Sequence, residues 1–343
     1  MRSASLDRII RQRDPELLKA VEYLSKNETA TGINMLQKQG RVTEISDGEQ
    51  RIAAIAKLYS AEPTNTIVVS PDNASRREIN LAVRRELQAK GGLSKEDRTI
   101  SVLTPRSDMT GADRAWAARY ETGDVLHYVR GSKEVTIEPG SYARVVETEP
   151  KTNVITVEKS DGERVVYDPS RLRGISAYRE IEREFAVGDR VQFTAPNRDL
   201  QVANRDIGTV KSFDQDGRIT LRMDTGKEVF FDPKEMRHFD HGYAVTSHSS
   251  QGITSERVIV NMDTRVHPEL INARFAYVSV SRASHDVQVF TNDVANLAES
   301  LIKEVSKTSA VELRKHDPTI LSIATESPAL AKKMSGSVLG LAL

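Results

Sequence analysis

The stretch YAVTSHSSQGITSERVIVNMD, Tyr243–Asp263, sets a polar segment between two apolar runs. Short apolar runs bounded by turn residues read as buried strands of a parallel sheet covered on both faces. The polar middle, Thr246 to Gly252, reads as a strand-to-helix turn. Free backbone N–H groups and the helix dipole favour phosphate at such a turn. Thr246 and His248 can donate hydrogen bonds to a nucleic-acid backbone, Gln251 can bridge neighbouring groups, and Gly252 lets the chain pass close to a ligand. A polar loop capped by its own Ser and Thr hydroxyls fits the same letters.

The α/β texture continues on both sides. Upstream, Ile67–Val69 reads as a buried strand, Ser70 to Asn73 as a turn, and Ser75 onward as an amphipathic helix ending at Gly91 and Gly92. Strand, short loop, helix is the α/β signature. Residues 1–60 read as helical. Leu6, Ile9, Ile10, Leu17, Leu18, Val21 and Leu24 recur at helical spacing around an Asp14-Pro15 cap, and Ile52, Ile55, Ala56 and Tyr59 mark a second helix over Asp47–Ser60. Downstream, ELINARFAYVSVSRAS reads as a helix running into a strand, DVQVFTN as the final strand and DVANLAESLIKEVSK as a closing helix. Residues 307–343 read as a weakly ordered tail.

Between these halves, from Thr99 to Asp240, lie short alternating strands with Asp-Gly and Thr-Gly turns. This stretch contains an internal repeat. Gly123-Asp124 aligns with Gly188-Asp189, Tyr167-Asp168-Pro169 with Phe231-Asp232-Pro233, and Arg173 with Arg237. Each copy, about 120–173 and 185–237, reads as roughly five strands, the pattern of a small SH3-like barrel. The intervening GISAYREIEREFAV reads as a polar linker with helical tendency. The expected fold class is α/β, a parallel-sheet domain (1–105 and 240–306) interrupted by an all-β insertion (106–239) of two tandem SH3-like barrels.

Lys and Arg together equal Asp and Glu at 49 each, so no global charge advertises a nucleic-acid partner, although a local basic stripe remains compatible with that total. The absence of cysteine excludes disulfides and thiolate metal sites and suits a reducing bacterial cytoplasm. No secretory leader or run near 18 apolar residues is found, so a soluble chain without membrane insertion is expected. His238 and His241 have no third ligand nearby in sequence and read as a surface pair, so no metal is assigned. Ser107, Asp108 and Asp113 read as caps.

No G-x-x-x-x-G-K-[ST] phosphate loop occurs in the sequence. Two other segments offer residues suited to a phosphate. FAYVSVSRAS reads as a buried strand ending in Ser281 and Arg282, and an Arg held by a rigid element is how an arginine finger reaches a nucleotide on a neighbouring domain. LDRIIRQRDP offers Arg11 and Gln12 after an apolar helical face. An ordinary surface salt bridge is the alternative for each Arg.

The order of these segments resembles the C-terminal half of a superfamily 1 helicase motor, most closely the helicase part of conjugative relaxase–helicases of the TraI/TrwC (MobF) type. RIIRQRDPEL looks like that family's motif IV, YAVTSHSSQG its motif V and YVSVSRA its motif VI; VVSPDNASRREIN and TGADRAWAARYETGDVL carry the same flavour. The resemblance covers about residues 1–300. It implies a second RecA-like domain with an SH3-like insertion contacting the separated strand. Arg282 would be the finger on the γ-phosphoryl group and Arg11 its assistant, with Gln12, Gln251, Gly252 and Ser281 at the nucleotide. Thr246 and His248 would meet DNA. Thr254 stands where many relatives carry a Glu for the ribose.

The resemblance further implies single-stranded DNA as partner and 5′ to 3′ polarity. It implies ATP and Mg2+ only when an upstream first RecA-like domain, joined to a relaxase, completes the motor. The chain is expected to be inactive alone. From the insertion, Arg190, Arg198, Arg205 and Lys211, interleaved with Phe193 and Asn204, are DNA-contact candidates, with a solvated barrel face as the alternative. A non-catalytic module that binds DNA or docks on type IV secretion coupling machinery is the second reading.

Overall fold

The computed structural model describes residues 11–106 and 108–302. Leu6, Ile9, Ile10, Ser107 and the 307–343 segment lie outside the described residues. Helices α1 (Pro15–Ser25) and α2 (Thr29–Lys38) lead to strand β1 (Val42–Glu44), helix α3 (Gly48–Ala61), strand β2 (Thr66–Ser70) and helix α4 (Asn73–Ala89). Eleven strands follow: β3 (Arg98–Pro105), β4 (Val125–Tyr128), β5 (Tyr142–Glu149), β6 (Val154–Lys159), β7 (Arg164–Tyr167), β8 (Ile175–Phe185), β9 (Arg190–Phe193), β10 (Ile207–Phe213), β11 (Ile219–Met223), β12 (Glu228–Phe231) and β13 (Phe239–His241). The chain then returns through β14 (Ala244–Thr246), β15 (Ser255–Met262), α5 (Ala273–Val280), β16 (Ala283–Thr291) and α6 (Val294–Ile302).

Aspartates start the upstream helices. Asp14, Asp47 and Asp72 accept hydrogen bonds from the backbone N–H groups of Leu17, Gln50 and Ser75 at 2.7, 2.8 and 2.7 Å, each satisfying an orphan donor of the first turn. The five parallel strands lie in the order β1-β16-β15-β2-β14. Alternate residues of the central strands point to opposite faces. Ile67, Val69, Val258 and Val260 pack with Leu17, Val21, Leu36 and Leu297 of α1, α2 and α6 on one face. Val68 and Ile259 pack with Ile55, Tyr59, Ile79 and Val83 of α3 and α4 on the other. Both faces are covered, as an apolar parallel sheet requires.

The remaining strands form two antiparallel sheets, β3-β8-β4-β5-β6-β7 and β12-β11-β10-β9-β13, each with its own apolar cluster. The chain is thus mixed α/β, with the parallel sheet assembled from segments on both sides of the antiparallel ones. The repeat is visible in detail. Gly123 and Gly188 take φ +97° and +98°, conformations that favour glycine. The buried carboxylates that follow accept from Glu121 N–H (Asp124, 2.9 Å) and Ala186 N–H (Asp189, 2.6 Å).

Three expectations are corrected. Residues 175–185 are no helical linker but the longest strand, β8, paired with both β3 and β4. Its Ile175, Ala177, Ile181 and Phe185 alternate, and its charges find partners from other segments, Glu180 with Arg237 of the loop before β13 at 3.0 Å. Tyr277–Val280 belongs to helix α5, so Arg282 follows a helix and precedes β16 rather than ending a strand. The segment after Thr246 runs through turns directly into β15, with no helix between.

His238 and His241 are also not a surface pair; both are buried and separately held. His241 Nε2 lies 2.9 Å from the Glu184 carbonyl, whereas His238 Nε2 lies 2.7 Å from Tyr142 Oη and its Nδ1 has no partner among the described residues. Burial, then the nearby His127 and Arg237, lowers the His238 pKa to about 4. An unfolded histidine titrates near 6.5, so between pH 6.5 and 4 the unfolded chain takes up a proton that the folded chain refuses. Stability present at pH 7 is lost as pH falls through that window, by about 3 kcal/mol. Urea midpoints measured from pH 7 to 4.5 should fall, and His238→Gln should flatten that slope.

Candidate nucleotide and nucleic-acid interface

Three segments distant in sequence meet at the amino end of β16. Arg11–Arg13 lies along Ser281–Ser284, with Arg13 N–H donating to the Ser284 carbonyl at 2.7 Å. Gln12 Nε2 donates to the carbonyls of Ser281 (3.1 Å) and Ala283 (2.8 Å), and Arg11 Nη1 to that of Ser281 (2.8 Å). The third segment is Ile253–Ser255, where Ser255 N–H donates to the Arg282 carbonyl at 3.1 Å.

Arg282 is 8% exposed. Its Nε donates to the Val278 carbonyl (2.9 Å), Nη1 to that of Ile253 (3.5 Å) and Nη2 to Ser281 Oγ (3.2 Å). Among the described residues, neither Arg11 nor Arg282 meets a carboxylate. Burial, then the Arg11 cation, holds the Arg282 guanidinium below its ordinary pKa, yet an arginine stays protonated. Two neighbouring cations without a counter-charge form a position suited to an anion. The buried Gln12 Oε1 likewise has no partner among the described residues.

The contrast with the other buried arginines is instructive. Arg51 pairs with Asp263, Arg76 with Asp240, Arg84 with Asp189 and Asp97, and Arg106 with Asp108 and Asp124. Those cations are structural. On α4, Arg76, Asn80 and Arg84 recur every fourth residue and form a polar seam beneath the insertion. Asn80 Oδ1 accepts from Tyr243 and Ala244 N–H at 3.0 and 2.8 Å, while Asp189 takes Arg84 Nε at 3.1 Å and Tyr243 Oη at 2.6 Å. Sequence reading missed this seam, although the four-residue spacing of Arg76, Asn80 and Arg84 was its signal.

The expected DNA contacts divide. Thr246 lies beside Ser70 at the carboxyl end of β2, away from Arg282, and its Oγ1 accepts from Ser249 N–H at 3.3 Å. His248 and Gln251 are exposed, and Gly252 turns at φ +97°. Gln251, Gly252 and Ile253 face Asn204, Arg205 and Asp206 across a cleft of about 430 Å³. Arg198 is exposed. Arg190 is engaged internally, with both terminal nitrogens 2.6 Å from Asp224. Phe193 is fully buried in the second β cluster and cannot stack on a base. Lys211 pairs with Glu228 at 2.6 Å. Thr254 lines a larger cavity of about 700 Å³ with Ser255, Glu256 and Tyr59.

No family model matches the chain. It is similar to the multifunctional conjugation protein TraI of Escherichia coli, 24% identical over 262 residues, which are 74% of this chain and 14% of that protein. It is also similar to the conjugal transfer protein TraA of Rhizobium radiobacter, 31% identical over 112 residues, 32% of this chain and 10% of that one. A solved structure of two coordinating Pif1 helicases on forked double-stranded DNA overlaps 87% of this chain and 51% of its own, at 14% identity and a TM-score of 0.43. The chain spans about a seventh of the TraI it matches. The likeness to TraI that the motif order implied is thus borne out over 74% of the chain.

Proposed function

We propose that this chain is the second half of a superfamily 1 DNA helicase motor serving conjugative transfer. On this reading the parallel sheet, with the helices of residues 15–89 and 273–302 that cover it, is its RecA-like domain, β3 joining the insertion rather than that domain, and the antiparallel units are two SH3-like barrels inserted into it. The observation that carries the proposal is the Arg11–Arg282 pair, two adjacent cations without a carboxylate among the described residues, where the segments resembling motifs IV and VI meet Ile253–Ser255. A γ-phosphate presented by a first domain would supply their counter-charge. ATP would supply the phosphoryl group whose transfer drives movement. Arg282 would neutralise charge building on it, Gln12 would fix the Ser281–Ala283 backbone, and Ser281 Oγ would hold Arg282 Nη2. Among the described residues no three His, Asp or Glu side chains gather as metal ligands, so the Mg2+ ligands would come from the first domain. The exposed His248 and the 247–252 turns would contact single-stranded DNA, with 5′ to 3′ movement.

ATP hydrolysis measured with and without single-stranded DNA tests the reading. The chain alone should be inactive, and adding a separately expressed relaxase and first helicase domain should yield DNA-stimulated turnover. Turnover by the chain alone would overturn the motif assignments. DNA or coupling-protein binding with no turnover after complementation would favour the non-catalytic recruitment module.

A further inference from the structure

The two antiparallel units repeat each other closely enough for one departure to stand out. Bridges Ser132–Ile137 and Asn197–Val202 occupy matching loops, with Thr136 and Gln201 both left-handed at φ +51° and +52°. Four residues later, Gly140 and Arg205 occupy the same place. Gly140 N–H donates to the Tyr128 carbonyl at 2.6 Å, and Arg205 N–H to the Phe193 carbonyl at 2.8 Å. Their φ angles are +79° and +83°. Glycine adopts that backbone freely, whereas a residue with a Cβ is strained there.

Space does not dictate the difference, since a Cβ at Gly140 would meet nothing within 4 Å. The second copy therefore holds an arginine on a backbone built for glycine. Strain persists where a side chain's position is worth its cost. Arg205 lines the cleft facing Gln251 and Gly252, and among the described residues it forms no ion pair. Asp206 beside it is turned to its own loop, accepting from Ala203 N–H at 2.8 Å.

We infer that Arg205 is a phosphate-binding residue for single-stranded nucleic acid, set at the seam between the second β unit and the 247–252 turns. The first unit, with Gly140, is a scaffold copy that lacks this contact. This rests on the proposed function, because the phosphate is that of the tracked strand. Arg205 binds from the insertion side while the turns close from the other, so the cleft grips backbone rather than bases and is indifferent to sequence.

The test compares the full chain with Arg205→Gly and Arg205→Lys, using a fluorescent oligothymidylate and a salt series. Arg205→Gly should bind roughly three- to tenfold more weakly, with the slope of log K against log salt reduced by about 0.7. It should also melt about 2 °C higher, because the strain is removed. Arg205→Lys should keep the slope without the stability gain. Absence of binding by the unaltered chain would remove the nucleic-acid reading and this assignment together. Binding that Arg205→Gly leaves unchanged in affinity and slope would remove this assignment alone. A lower melting temperature in Arg205→Gly would overturn the strain argument.

Discussion

Arg282→Ala is expected to lower DNA-stimulated ATP hydrolysis of the complemented motor by about 10³-fold or more, the usual effect of losing an arginine finger. The reason is electrostatic. Arg282 is already desolvated and already faces Arg11, so on the proposed reading its unfavourable surroundings would become favourable when a phosphoryl anion arrives. Arg282→Lys separates this role from packing. It keeps a cation but loses the planar fork that spans the Val278 and Ile253 carbonyls. It should fold and bind DNA normally while still hydrolysing ATP poorly. Full turnover in Arg282→Lys and Arg282→Ala, measured under saturating ATP, would leave the residue a structural one.

The second large effect is on stability. Arg84→Met should destabilise the chain by about 3–5 kcal/mol, because it strands the fully buried Asp189 without its cation. Thermal melting should fall by about 6–15 °C. Asp189 keeps Tyr243 Oη and Ala186 N–H, but neutral donors do not balance a buried charge. Adding Asp189→Asn to Arg84→Met should recover part of the loss, since a neutral amide needs no counter-ion. A melting temperature within about 1 °C of the unaltered chain would show that the seam is dispensable. The seam joins α4 to Tyr243 and to the second β unit, so its loss should also speed proteolytic cleavage there.

Where local chemistry decides structure, the sequence was readable. Asp14, Asp47 and Asp72 announce helix starts because a short carboxylate satisfies first-turn N–H groups wherever it stands. The repeat was readable because Gly123-Asp124 and Gly188-Asp189 need the same left-handed glycine and the same capping carboxylate. The strand β8 was hidden by its charge. Arg and Glu look solvated until segments distant in sequence bring partners to them, as Arg144 and Arg237 come to Glu180 and Asp240 to Arg183. Tyr277–Val280 misled for the opposite reason, since a short apolar run suits a buried helix end as well as a strand.

For this protein the sequence by itself determined the alternation of α/β, tandem β and α/β, the repeat within it, and the order of motifs bearing Arg11, Gln251 and Arg282. Each of those rests on residues close together along the chain. The tertiary structure alone decided which arginines are spent and which are free. Arg84 finds Asp189 and Arg190 finds Asp224, whereas Arg11 finds Arg282 across 270 residues of chain and, among the described residues, no carboxylate. Counter-charge is a property of distance in space. Every arginine reads alike in the sequence, and only folding brings an acid within reach of some and not of others.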